Sequence, residues 1–595
     1  MNERSPRASS PPGRALPIAL SAVAAPLLVA CSNPLAQRPS DYGDPIPRAR
    51  ILEVEPLALR ERAPLDDDAA ILPEPIPAAE RLELPLELAR AYTLENNLDI
   101  RVALIEPARA SQSLREEEAA WDAVAGIDFS WIETDQPTAT QLAGTQIDVQ
   151  RLTPRIDVPL RTGGAVRFGL PIEQTRTNNP FTILDPSVTT DFEFSITQPL
   201  LRNAGRDAEM FALRLAAYDE GVALAQTKLE VIRRLAAADR VYWRLYAALR
   251  ALDVARQQYE LALEQLRRAE RQFDAGRVAE IEVIRAEEGV AERLEAIIQA
   301  NNAAKQEQRA LKLVMNAPHL PLDEFPILWP ATEPLVAPLD LNPDRLTDLA
   351  LNQRMELLEL ELRLAADAAT VAFEENQALP LFTVDYTYRV NGLGSNLSES
   401  AGILQDNDFA DWDLRLTLEQ PIGNNAARAR VARAVIQRLQ RLSTRDARRL
   451  AIEQEVRDAV DNLQAGWQRI LAARQSAILA GRTLEAEQRQ FDVGRSTSTD
   501  VLDAATRLAD AQLAEIRALT DYQIAKVDLA FATGSILGAA RVDWRPLDPR
   551  SGDEPNAETD RQAPAPGDPA AVSVAEPAEA DSPAASRAKE PASQP

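Results

Sequence analysis

Four short segments of the chain alternate strictly between apolar and polar residues. In one of them Phe192, Phe194 and Ile196 fall on one face, and Glu193 and Ser195 fall on the other. A period of two is typical of a β-strand with one apolar face. The four predicted strands cover approximately residues 124–132, 190–198, 381–389 and 412–420.

Two longer segments carry apolar residues at intervals of three and four, which is the spacing of packed helices. The apolar positions of the first segment are Tyr242, Leu245, Leu249, Leu252, Tyr259, Leu263, Leu266 and Phe273. Those of the second are Val460, Leu463, Trp467, Ile470, Ala477, Leu484 and Phe491. No proline interrupts residues 206–273, and about 70 helical residues span roughly 100 Å. We therefore predict helical hairpins over residues 200–316 and 422–538, continued by further helices over residues 343–378 and 84–119.

These elements form a duplicated unit. Three pairs of segments match in the same order, namely residues 127–131 with 384–388, 192–199 with 414–421, and 271–277 with 489–495. The first pair is 257 positions apart and the second is 222 apart, so the first copy holds about 35 additional residues between its strands. Two alternating runs around Gly163-Gly164 predict a hairpin there, near residues 155–171. Pro159 argues mildly against a central strand, and the hairpin is either an external loop or two more strands.

Four strands are too few to close a membrane barrel. Each strand alone would suit a soluble β-sandwich, but four of them between very long helices favour barrel strands with their apolar face toward lipid. Open sheet edges are not tolerated in lipid. The sequence therefore predicts an oligomer, in which three protomers of four strands would supply twelve.

The two ends of the chain have their own signatures. Arginines near the N-terminus precede an apolar stretch that ends at Cys31, the only cysteine of the chain. This pattern is typical of a bacterial lipoprotein signal peptide, with lipid on Cys31 as an anchor; the alternative is a chance cysteine in an ordinary export signal. The acidic Pro- and Ala-rich C-terminal segment has almost no bulky apolar residues, which predicts disorder.

The predicted organisation is a signal peptide (1–30), a lipid-anchored linker (31–82), a first repeat (83–316), a connecting or equatorial segment (317–342), a second repeat (343–540) and a disordered acidic tail (541–595).

Glycine followed by arginine ends both long helices. The pairs are Gly276-Arg277 and Gly494-Arg495. Glycine tolerates the positive φ that a tight helical turn often needs, so these pairs predict the tips of the two hairpins.

A Gln-Pro pair ends one strand of each copy, at Pro199 and Pro421. Proline cannot donate a hydrogen bond to a sheet and suits a sharp change of direction. Its recurrence in both copies favours a strand-to-helix junction over a simple strand end.

Composition argues against several classes of protein. The chain carries 65 Lys and Arg against 91 Asp and Glu, which disfavours nucleic acid as a partner because phosphate binding needs a basic face. The one histidine, His319, lies between prolines, and no phosphate-binding glycine loop, zinc-ligand spacing or nucleophile elbow occurs. We therefore expect no enzyme activity, no cofactor and no metal site.

The order of strand, long helical hairpin, strand and long helical hairpin resembles the TolC family of outer-membrane factors over residues 83–540. The most specific stretch, residues 491–506, is similar to the family's glycine turn followed by Asp-Val-Leu-Asp-Ala. The resemblance implies a homotrimer in the outer membrane, whose β-barrel and α-helical tunnel form an exit duct for efflux or type I secretion. It also implies a periplasmic adaptor and an inner-membrane transporter as partners at the hairpin tips, and it identifies Asp500 and Asp503 as acids that ring the pore entrance.

The chain departs from the family motif at the tips. Phe491 and Ser496 stand where the best-known members have the tyrosine and arginine of links that hold the entrance shut, and Phe491 has no hydroxyl for such a link. Arg277 stands where the family often has leucine at an adaptor docking point, which would change that contact from apolar to charged.

Two alternatives remain open from the residues alone. Asp500 and Asp503 have the spacing of ordinary helix-capping acids, and Glu282 and Arg285 occupy the matching places of the first copy. A lipid-anchored periplasmic coiled-coil adaptor or scaffold would explain the helices and Cys31, although it leaves the amphipathic strands without a purpose.

Overall fold

The computed structural model describes residues 81–138, 144–323, 326–493 and 495–542. The predicted signal peptide, Cys31, nearly all of the predicted linker and almost the whole predicted tail lie outside the described residues. Gly494 lies outside them as well. Among the described residues, no helix has both the length and the apolar character to cross a membrane.

Helices make up most of this part of the chain. They are α1 (Leu86–Asn96), α2 (Leu98–Glu118), α3 (Arg206–Glu209), α4 (Phe211–Asp274), α5 (Glu280–Met315), α6 (Pro343–Gln353), α7 (Met355–Gln377), α8 (Leu397–Asp406), α9 (Asn425–Asp492), α10 (Ser498–Ala532) and α11 (Ile536–Ala539). The strands are β1 (Arg81–Leu84), β2 (Val124–Asp135), β3 (Gln146–Pro159), β4 (Ala165–Gly169), β5 (Ile172–Thr177), β6 (Ser187–Pro199), β7 (Ile327–Pro330), β8 (Leu381–Gly394) and β9 (Ala410–Glu419).

Two long hairpins form the body of the fold. The 64-residue helix α4 packs along α5, and the 68-residue helix α9 packs along α10. Both long helices are rich in Ala, Leu, Arg and Glu, which are good helix formers. Nine of the fifteen predicted seam residues are buried, and they are Tyr242, Leu245, Leu249, Leu252, Val460, Leu463, Ile470, Leu484 and Phe491. Near the first tip the seam is less buried, and Phe273 is 43% exposed. The predicted fold class, mainly helical with two strand-and-hairpin units, is confirmed.

The two predicted continuation helices are each broken once. One breaks at Asn97, between α1 and α2, and the other at Arg354, between α6 and α7; both residues have extended backbone, with ψ of 124° and 123°. The side-chain amide of Asn97 donates to the Val314 carbonyl at 2.8 Å, and the Arg354 guanidinium donates to the Ala532 carbonyl at 3.1 Å. Each break is therefore tied to the end of the neighbouring hairpin by a buried side chain.

The large sheet includes the inserted hairpin of the first copy as well as the four predicted strands. Its order is β2-β3-β4-β6-β8-β9, and β5 also pairs with β3 and β6. Since β4 and β5 both lie between β3 and β6, they form one interrupted strand. The sheet thus has six strand positions. Four were predicted, and the inserted segment supplies the other two, which is one of the two alternatives that the sequence left open for it.

Prolines explain how the inserted hairpin enters the sheet. Pro159 is the last residue of β3, where a missing donor is tolerated. Pro154 lies inside β3, but the facing position holds the break between β4 and β5, where the Leu170 amide donates to the Pro154 carbonyl at 3.0 Å. The turn contains Gly163 with φ of +85°, a conformation that favours glycine.

A second, two-stranded parallel sheet pairs β1 with β7. The Tyr242 hydroxyl donates to the Leu84 carbonyl at 2.9 Å and accepts from the Thr332 amide at 3.0 Å. The Gln308 side chain bonds both the amide and the carbonyl of Leu328. The predicted connecting segment is thereby fixed against the first hairpin.

Candidate functional site

The first hairpin turns at Gly276, which has φ of +68°. The Gly276 amide donates to the Phe273 carbonyl, and the Arg277 amide donates to the Gln272 carbonyl, both at 2.8 Å. This pair of bonds is the Schellman ending of a helix, which needs one residue in the left-handed region. Arg277 is exposed directly beyond the turn.

The second hairpin ends its long helix with the equivalent bond. The Arg495 amide donates to the Gln490 carbonyl at 2.9 Å, and Arg495 is exposed as Arg277 is. Gly494, the intervening turn residue in the sequence, lies outside the described residues. The two tips therefore share one backbone hydrogen bond at matching positions.

Asp500 caps the helix that leaves the second tip. The Asp500 amide donates to the Thr497 hydroxyl at 3.2 Å, and the Thr497 amide donates to the Asp500 carboxylate at 2.9 Å. The hydroxyls of Thr497 and Ser496 also donate to this carboxylate. These bonds, that of the Thr497 hydroxyl foremost, hold the pKa of Asp500 below its ordinary value. The structure thus places Asp500 in a capping box.

Asp503 lies one turn further along α10 and is exposed. Within the described part of the chain, no hydrogen bond or ion pair engages its carboxylate. Its match in the first copy, Arg285, instead bonds Glu282 at 2.8 Å. Of the two predicted entrance acids, Asp503 is the one that is not committed to the helix start.

Glu282 contributes to the second tip, which the sequence analysis missed. Its Oε2 accepts the Ser498 amide at 3.0 Å. This amide is one of the free donors at the start of α10. Glu282 is the sequence match of Asp500, so the repeat indicated a capping acid at this position. The Glu282 carboxylate, however, caps the helix of the other copy.

The two tips differ in packing. Phe491 is 2% exposed and packs with Leu484 and Val501, whereas its match Phe273 is 43% exposed. A Cβ added to Gly289 would lie 2.8 Å from the Leu502 side chain, so the first hairpin approaches the second closely here. Phe491, in the place of the family's tyrosine, is a core residue of the second tip.

The strand-to-helix junctions use the same local bond in both copies. The Gln198 side-chain amide donates to the Pro199 carbonyl at 2.8 Å, and that of Gln420 donates to the Pro421 carbonyl at 3.2 Å. Pro199 is the last residue of β6, and Pro421 follows shortly after β9. The chain then turns into the long helices α4 and α9, so each hairpin continues from the end of a strand.

The large sheet separates apolar from charged residues. One face carries apolar side chains on every strand position, and those of the two edge strands are more than half exposed, as for Phe129 (61%) and Trp412 (67%). The other face carries charged residues joined across strands, such as Arg389 with Glu193 at 3.8 Å. The charged face encloses a hollow of about 530 Å³. The two faces of the sheet therefore differ in chemistry, one being apolar and largely exposed at the edge strands and the other charged.

Comparisons with known proteins agree with this arrangement. Residues 346–535 match the profile of the family described as outer membrane efflux protein. The chain is 29% identical over 190 residues to the outer membrane protein TolC of Vibrio cholerae, a match that covers 31% of this chain and 42% of that protein. The fold is similar to that of the outer-membrane channel OprN, with a TM-score of 0.58, 16% identity, and coverage of 76% of this chain and 90% of that one. It is also similar to the CmeC outer membrane channel of Campylobacter jejuni, with a TM-score of 0.55, 14% identity, and coverage of 76% and 85%.

The sequence match spans less than half the length of the TolC protein, while the likeness of fold extends over three quarters of this chain. The profile match lies on the second copy and includes its tip, which is also the stretch most similar to the family motif. Residues 346–535 are thus similar to the outer membrane efflux protein family, and the fold of the chain is similar to that of outer-membrane channels.

Proposed function

We propose that the protein is a passive exit duct of the outer membrane, a channel of a tripartite efflux or type I secretion system. Three copies would close the sheet into a barrel and the hairpins into a tunnel that extends into the periplasm. A periplasmic adaptor and an inner-membrane transporter would supply cargo and energy at the tips.

The observation that carries the proposal is the exposed apolar face of the sheet. Leu416 is 60% exposed and Phe129 is 61% exposed, and exposing this much apolar surface to water is unfavourable. An apolar face opposite a charged face is the pattern of barrel strands. The edge strands β2 and β9 each have one side without a partner strand in the described sheet. Lipid would cover the apolar face, and neighbouring copies would pair with the edges.

The test separates a duct from a lipid-anchored scaffold. Cys31→Ala removes any lipid anchor, and cell fractionation then reports where the protein resides. A duct is expected to stay in the outer-membrane fraction as a heat-modifiable trimer. Release of the variant into the soluble periplasm would overturn the duct and favour the scaffold.

A matched pair of substitutions tests the apolar face directly. Leu416→Arg places a charge toward lipid, which costs about 2–4 kcal/mol at the middle of a bilayer. Thr417→Arg places the same charge on the opposite face of the same strand. We expect the first variant to lose trimers from the outer membrane and the second to retain them; equal yields would contradict the assigned orientation.

We also propose that Asp503 lines the tunnel entrance and favours cations there, together with Asp500. A ring of acids is a known selectivity device, and a trimer would present six carboxylates. Because Asp500 also caps α10, Asp503→Asn is the cleaner variant. We expect reduced cation preference and weaker divalent block in planar bilayers; an unchanged preference would remove Asp503 from the entrance.

Adaptor docking is proposed at the exposed tips, near Gly276, Arg277, Gly494 and Arg495. Bulky residues at either glycine should weaken docking, since the turn geometry would change. Arg277→Leu should alter the adaptor contact while leaving the turn bond intact. Crosslinking of the adaptor in whole cells measures both effects, and yields equal to wild type would contradict docking at the tips.

A further inference from the structure

The inserted hairpin of the first copy, β3 with β4 and β5, has the side-chain order of the repeat strands. One row of directly paired residues crosses all six strand positions on the apolar face, and it consists of Trp412, Tyr388, Phe194, Phe168, Ile156 and Ala125. The insert supplies two members of that row without a gap. A loop outside the barrel would have no reason to keep this register, because a slip of one residue reverses every side chain.

The opposite face of the insert is equally continuous with the repeat strands. Arg155 pairs with Asp128 on β2, and Arg167 on β4 pairs with Asp157 on β3. The charged hollow is lined by these insert residues together with Glu193 of β6 and Arg389 of β8. The insert therefore shares both the lipid-side and the water-side surfaces of the sheet.

From this register we propose that the insert is part of the barrel wall, so that each protomer contributes six strands and the trimeric barrel has eighteen. The inference rests on the proposed duct. Neighbouring strands are antiparallel throughout the sheet, so with six positions β9 of one copy meets β2 of the next in antiparallel orientation. The barrel can therefore close without a parallel strand pair, as it could if each copy supplied four strands.

The larger count widens the outer-membrane section of the duct. Barrel diameter grows roughly linearly with strand number, so eighteen strands give about 1.5 times the diameter of twelve. The cross-section then rises by about twofold on the same relation. The barrel would then be wider than a twelve-stranded one, so the helical tunnel, and not the barrel, would set the size limit for cargo.

Electron cryomicroscopy of the full-length protein in lipid nanodiscs tests the count. We expect eighteen strands in the barrel cross-section. Twelve strands, with the insert folded outside or inside the wall, would overturn the inference and leave the duct intact. A protein that forms no membrane ring would overturn the proposed function instead.

Cysteine crosslinking in intact cells provides a second measurement that requires no deletion. With Cys31→Ser in every variant, Phe129→Cys and Leu152→Cys are directly opposite on β2 and β3 and should crosslink. Phe129→Cys with Phe194→Cys should not, because two strand positions separate β2 from β6 and strands are about 4.8 Å apart. Efficient crosslinking of this second pair would place β2 beside β6 and overturn the eighteen-stranded wall.

Discussion

The two copies of the repeat keep the same backbone landmarks and fix them with different side chains. At the helix breaks, the acceptors are Val314 and Ala532, which occupy matching positions, but one donor is the neutral Asn97 and the other is the charged Arg354. At the tips, the first copy exposes its phenylalanine and the second buries it. The positions at which the chain bends are therefore the same in both copies, while the contacts that hold each bend differ.

The divergence is not symmetric. The helix that leaves the second tip is capped by Thr497 and Asp500 of its own copy and by Glu282 of the other. The helix that leaves the first tip begins after Ala279 with no side-chain cap. The second tip is thus the more heavily constrained of the two, and the first copy helps to constrain it.

Substitutions at the two helix breaks should lower the free energy of unfolding more than the other changes proposed here. Arg354 is nearly fully buried and pairs with Glu356 at 2.7 Å. Burial alone would raise the pKa of Glu356, but the hydrogen bonds and charge of Arg354 outweigh it and hold that pKa below its ordinary value. Arg354→Ala removes the main partner of this carboxylate and leaves it only Arg448, at 3.2 Å, so the variant should cost about 3 kcal/mol. Asn97→Ala removes a neutral cap and should cost about 1 kcal/mol.

Thermal unfolding followed by circular dichroism ranks the two variants. Adding Glu356→Gln to Arg354→Ala serves as the control, since it removes the carboxylate that has lost its main partner and should recover part of the loss. Equal melting temperatures for Arg354→Ala and Asn97→Ala would show that the two side chains stabilise their breaks equally, which would contradict the difference between the copies.

The second effect concerns the tip cores. Phe491→Ala empties a buried site and should destabilise the second tip by roughly 3 kcal/mol. Phe273→Ala removes an exposed ring in the first copy and should change stability by less than about 0.5 kcal/mol. Hydrogen exchange of the amides around each turn measures local opening. Similar changes at both tips would show that Phe273 is also buried, for example by a neighbouring copy.

Periodicity in the sequence was sufficient for the elements that bury a regular face. The seam of Tyr242, Leu245 and Leu249 and the alternation of Phe192 and Phe194 each report a local geometry, and the structure contains a helix and a strand there. The turn at Gly276 could also be predicted, because the positive φ of a tight turn is a local property that favours glycine.

Features that depend on partners far away in the sequence could not be predicted from it. Asn97 and Arg354 are neither glycine nor proline, and their breaks depend on carbonyls 217 and 178 residues away. The contact of Glu282 with Ser498 spans 216 residues. The insert could not be assigned to the sheet from its own alternation, since only pairing with β2 and β6 distinguishes a wall strand from a loop.

A smaller effect tests whether the turns themselves are equivalent. A Cβ at Gly276 meets nothing within 4 Å, but its φ of +68° is unfavourable for other residues, so Gly276→Ala should cost about 1 kcal/mol. Gly494→Ala should cost the same, because the Arg495 amide makes the matching bond. Gly402, inside α8, also has free space around it, and Gly402→Ala should be stabilising. Unequal costs at the two tips, measured by hydrogen exchange, would show that only one turn needs glycine.

The smallest effect is the pH dependence of the second tip. The pKa of Asp500 is lower in the folded protein than its ordinary value of 3.8, so its capping contribution is present above that value and is lost as pH falls through the folded pKa. Hydrogen exchange at the start of α10 should therefore show reduced protection in that acidic range, and Asp500→Asn should abolish the change. The start of α5, which has no side-chain cap after Ala279, provides the internal control and should lack an equivalent step. If protection at both helix starts fell together and Asp500→Asn made no difference, the acid would act on the hairpins as a whole, and the extra constraint assigned to the second tip would not reside in its capping box.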